Sequence, residues 1–87
     1  MLMCNLNELK DGESAVIEEM NLESRLAHRL YHLGLIPGVR IRPMVRGPKG
    51  SLRVYHVDGT DIALRRETTI NIVVSPLSAA AASVGGD

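Results

Sequence analysis

The chain has 87 residues, one small domain near the lower limit at which a single core holds a protein together. It has no Phe or Trp, two Tyr and one cysteine, Cys4, so any core is aliphatic and an internal disulfide framework is excluded. Ten basic residues balance ten acidic ones, and no apolar run approaches the ~18 residues needed to span a bilayer.

The zero net charge conceals an asymmetry. Six acids and one base, Lys10, lie between Met1 and Glu23, whereas nine bases and two acids, Asp58 and Asp61, lie between Ser24 and Arg66. Such halves mark either a basic binding surface or acidic and basic strands that pair with each other. Met1 to Cys4 is too short for a secretory apolar region and acids soon follow, which predicts a cytoplasmic protein.

In chain order, Leu6 and Leu9 precede a turn at Asp11-Gly12, and Ala15 to Met20 reads as a first strand. Asn21 is a plausible helix cap, with Glu23 in the first turn where a carboxylate suits the dipole. Leu22, Leu26, Leu30 and Leu33 then form one apolar stripe, predicting a helix that ends at Leu33. Gly34 supplies the positive φ that stops helices, Leu35 can fold back onto Leu30, and Pro37-Gly38 fits the centre of a type II turn.

Val39 to Arg46 alternates as a second strand, bulged or at an edge where Pro43 removes a ladder donor. Gly47 to Gly50 reads as a loop, and Leu52 to Val57 as a third strand. Asp58-Gly59 signals a tight hairpin into a fourth strand, Asp61 to Leu64. Arg65 to Thr69 reads as a helical turn and Ile70 to Val74 as a fifth strand. These elements predict a mainly β fold over residues 1–76: a small SH3-like antiparallel barrel of about five strands, with one α-helix inserted after the first. Residues 77–87, rich in Ala, Ser and Gly, read as a disordered tail.

No catalytic constellation emerges, and the expectation is a non-enzyme. His28 and His32 have the i, i+4 spacing of a metal-binding pair, but Arg29 stands where a zinc protease needs Glu as general base. His28, His32, His56 and Cys4 together are weak ligands for an adventitious transition metal; no cofactor is required. A stronger feature is the helix face bearing Arg25, His28, Arg29 and His32, a basic patch suited to a carboxylate- or phosphate-bearing partner. Leu35 and Ile36 lie at its end as candidate apolar anchors. Two alternatives compete with this docking module. One is a nucleic-acid-binding small barrel, disfavoured because Tyr31 and Tyr55 are its only stacking groups; the other is a transition-metal-binding sensor domain.

Arg25-Leu26, Leu33-Gly34-Leu35, Pro37-Gly38, Gly47-Pro48, Gly50, Gly59 and Ile62-Ala63-Leu64-Arg65 occur in an order and spacing that resemble the FeoA family. Ile70, Ile72 and Val73 complete the pattern, which covers Leu6 to Val74. The resemblance implies an SH3-like cytosolic accessory protein of Fe(II) uptake that partners the FeoB membrane GTPase transporter. It also implies a place at the inner membrane through that partner, with no nucleic acid and no membrane insertion of its own. Similar domains close iron-dependent transcriptional repressors, after a helix-turn-helix region that this chain does not carry.

Overall fold

The computed structural model describes residues 3–46 and 52–77. The expected loop at Gly47 to Gly50 and the expected tail beyond Leu77 lie outside the described residues. The elements run β1 (Cys4–Asn5), a 3₁₀ turn (Leu6–Glu8), β2 (Ala15–Met20), α1 (Ser24–His32), β3 (Arg40–Arg46), β4 (Leu52–Val57), β5 (Thr60–Arg65), α2 (Arg66–Thr69) and β6 (Ile72–Pro76). The strands form one antiparallel sheet in the order β1-β6-β2-β3-β4-β5. The sheet curves as SH3-like folds do, but its end strands β1 and β5 are not neighbours in the ladder, so the barrel is not closed.

The described residues form six strands where about five are expected. The extra one, β1, is a two-residue ladder in which Cys4 and Asn5 face Val74 and Val73, too short for periodicity to reveal. The last strand begins two residues later than predicted. Ile70 and Asn71 instead close the α2 turn, where their backbone N–H groups donate to Arg66 and Thr68. Leu77 donates to the Ser14 carbonyl at 2.8 Å, so the first residue of the expected tail is tied to the sheet.

Two bulges bend this sheet. The register of β3 against β4 shifts between Pro43 and Val45, as the missing proline donor predicts. The register of β2 against β6 shifts between Ile17 and Glu19. At the far end of β4, Asp58 and Gly59 both take positive φ, the two-residue hairpin turn that the sequence signals. The core is aliphatic around one ring. Leu6, Leu9, Ile17, Leu35, Ile41, Ile72 and Val74 are fully buried with Tyr55.

The helix starts later than Asn21 suggests. The Asn21 backbone N–H donates to the Asn71 carbonyl, which keeps this residue beside the sheet. Glu23 takes the cap position, with no side-chain cap hydrogen bond. Of the predicted apolar stripe only Leu30 is buried; Leu22 and Leu26 pack at the margin of the core. Leu33 is 50% exposed, because it caps the helix and no longer follows the stripe.

The stop itself is as the sequence predicts. Gly34 N–H donates to the Tyr31 carbonyl at 3.0 Å and Leu35 N–H to the Leu30 carbonyl at 2.9 Å, the paired bonds of a Schellman motif. Val39 N–H donates to the Ile36 carbonyl across Pro37-Gly38, closing the type II turn. Gly38 N–H and the Val39 carbonyl then bond to Ile17, fastening this corner to β2.

Gly34 has φ +98°, and a Cβ added there would meet nothing within 4 Å. Gly34→Ala therefore isolates backbone strain from packing. We expect it to cost about 1–2 kcal/mol, a fall in Tm of roughly 5–15 °C, read by thermal melting. A change of less than about 2 °C would show that the corner does not depend on this conformation.

Candidate docking face on the helix

Arg25, His28, Arg29 and His32 are all exposed on α1, turned away from the side on which Leu30 is buried. Helical period brings them together, and the C-terminal end of the helix favours the cationic head of Arg29 in its last turn, beside His32. The His28 and His32 rings meet edge to face, with centroids 4.6 Å apart. None of the four forms an ion pair among the described residues.

The apolar anchors differ from those expected. Leu35 is fully buried beneath the helix stop, so its side chain belongs to the core and is not available to a partner. Ile36 is 40% exposed and stays on the candidate face. Tyr31 and Leu33, which sequence reasoning did not place there, are 48% and 50% exposed at the same helix end. The signal for Leu33 was present in its position next to Gly34, since a residue at a helix cap leaves the period of the stripe. The resulting surface is a row of cationic and titratable heads bordered by apolar groups. It suits an acidic protein surface with an apolar anchor of its own.

The four weak metal-ligand candidates do not converge. His28 and His32 share α1, but His56 lies on β4, where its Nδ1 hydrogen-bonds the Asp61 carboxylate at 2.8 Å. Cys4 lies on β1, and burial, then Glu8, then Glu13, push its thiol above the usual range, which favours the protonated form over the thiolate a metal requires. Among the described residues, no three His, Cys, Asp or Glu side chains could hold a metal ion together. Nor do both tyrosines serve as stacking groups: Tyr55 is fully buried, leaving Tyr31. No helix among the described residues is long and apolar enough to cross a membrane.

Comparison with known proteins agrees with the topology. The FeoA domain family model matches residues 4–76. A Campylobacter jejuni protein named Putative Fe(2+) transport protein A is 30% identical over 70 residues, which cover 80% of this chain and 95% of that one. The solution structure of the FeoA protein from Chlorobium tepidum matches with a TM-score of 0.82 at 28% identity, covering 85% of this chain and 70% of its own. A manganese-dependent transcriptional repressor shares the fold alone, with a TM-score of 0.77 at 16% identity over 86% of this chain and 42% of the repressor. With the family model spanning nearly every described residue and the strand-helix-strand corner in place, the chain belongs to the FeoA domain family.

Proposed function

We propose that this chain is a non-enzymatic accessory protein of Fe(II) uptake, acting in the cytoplasm and held at the inner membrane by docking on the cytosolic region of an FeoB-type transporter. The family match over residues 4–76 carries this reading, and the relative named for Fe(2+) transport supports it. Docking is assigned to the α1 face. Arg25, His28, Arg29 and His32 supply donors for partner carboxylates, and Tyr31, Leu33 and Ile36 supply exposed apolar area. Such a surface binds by complementarity and takes part in no bond making.

Retention of the transporter from source-cell membranes on the tagged full chain tests the reading. Enrichment over a charge-matched control protein is the expected result, and its absence would remove the transporter as partner. Paired Arg25→Glu and Arg29→Glu changes are expected to weaken retention about tenfold or more, because like charges then face the partner's acids. Equal retention by that variant would move the docking site elsewhere on the domain.

A further inference from the structure

A second basic surface lies on the outer face of the sheet, on strands rather than on α1. Arg40 and Arg42 are two residues apart on β3, both exposed, with Ile41 buried between them. The ladder places His56 of β4 directly opposite Arg42, and Asp61 of β5 opposite His56. Arg40, Arg42 and His56 line an open cleft of about 420 Å³ that Ser14, Asp58 and Gly59 complete.

Neither arginine has an ion-pair partner among the described residues. The two described acids nearest by register are placed differently. Asp61 is engaged by His56 Nδ1, which holds the imidazole in place, and Asp58 stands in the turn at the rim. The cleft therefore offers two free guanidinium groups and a fixed imidazole, offset by one rim carboxylate.

We infer that this cleft binds an extended acidic peptide segment of a protein partner, with carboxylates two residues apart. The reason is a match of periods. Side chains at i and i+2 of a strand leave the same face about 6.6–6.8 Å apart, so an extended segment presents alternate carboxylates at the spacing at which β3 presents Arg40 and Arg42. Each carboxylate then meets one guanidinium in the forked geometry that arginine favours. A single phosphate concentrates its charge on one centre, whereas two carboxylates at strand spacing present one to each arginine. The surface is separate from the α1 face and does not depend on the docking proposed there.

Fluorescence anisotropy on the full chain tests the assignment. The probes are labelled ten-residue peptides of Gly and Ser with Glu at every second position, with Glu at every third position, or with Gln at every second. The alternating Glu peptide is expected to bind at low salt, at least about tenfold more tightly than either of the others. Paired Arg40→Gln and Arg42→Gln changes should remove that preference, while Arg66→Gln on α2 leaves it intact; all the substituted sites are exposed, and a retained Tm confirms the fold. Equal binding of all three peptides would overturn the proposal. So would full displacement by inorganic phosphate at the peptide's own concentration, which would mark a small-oxyanion site. Dimerisation of the chain that the Arg40/Arg42 variant abolishes would assign the cleft to a second copy and equally overturn it.

Discussion

Replacing Asp11 with Ala is expected to lower the unfolding free energy by about 2–3 kcal/mol, although Asp11 is itself largely exposed. The reason lies in its partner. Arg53 alternates with Tyr55 and Val57 on the inner face of β4 and is 3% exposed. Its Nη2 donates to Asp11 Oδ1 at 2.6 Å, and its guanidinium sits 5.7 Å from the centroid of the Tyr55 ring. Its Nε and Nη1, like the Tyr55 hydroxyl, have no hydrogen-bond partner among the described residues. Asp11 is thus the carboxylate that balances a buried cation, and removing it leaves that charge uncompensated. The cost falls below that of a fully buried pair because Asp11 is 59% exposed and water already screens it. Adding Arg53→Met to Asp11→Ala should restore most of the loss, since an apolar chain of similar length removes the buried charge altogether. Urea denaturation of the two variants checks the pair, and a double variant no more stable than Asp11→Ala would refute the account.

Leu35→Ala should be the most damaging single truncation at the corner, costing about 2–5 kcal/mol out of the 5–15 kcal/mol typical of a domain. Leu35 is fully buried, and its backbone N–H closes the helix stop onto Leu30. The cavity therefore opens beneath the point at which α1 is fastened to the sheet. Leu33→Ala is the control two positions away. Half exposed, Leu33 should cost less than about 1 kcal/mol. Denaturant midpoints compare the two directly, and equal losses would mean that the stop does not rest on the core.

Much of this corner was legible because its chemistry is local. Gly34, Pro37-Gly38 and Asp58-Gly59 each demand a particular backbone within two or three residues, so the sequence announces them. The helical period likewise groups Arg25, His28, Arg29 and His32, all of them exposed on α1. What escaped was set by neighbours distant in sequence. The Cys4–Asn5 ladder exists because β6 lies beside it, and two residues carry no periodic signal. Asn21 reads as a cap, but the Asn71 carbonyl competes for its backbone and the helix starts later. The basic cleft needs Arg42 and His56 opposed across a ladder, and Ser14 and Asp58 brought to the same place, none of which is written in any one stretch. Arg53 was concealed by its type, since an arginine in a strand ordinarily faces water.

The strand order has a consequence for when this domain can exist during its synthesis. β6, the last of the described strands in chain order, is seated in the interior of the sheet between β1 and β2, the two earliest of them. Until Ile72 to Pro76 leave the ribosome, β1 has no ladder and the β2 edge that pairs with β6 stays open. Cys4–Asn5 and Ile72–Pro76 must then find each other across a long separation in sequence, the kind of non-local closure that slows folding. Closure of β1 and β2 onto β6 is therefore a late event, and a nascent chain halted before Ile72 emerges with Leu6 and Ile17 still waiting for Val74 and Ile72 to cover them.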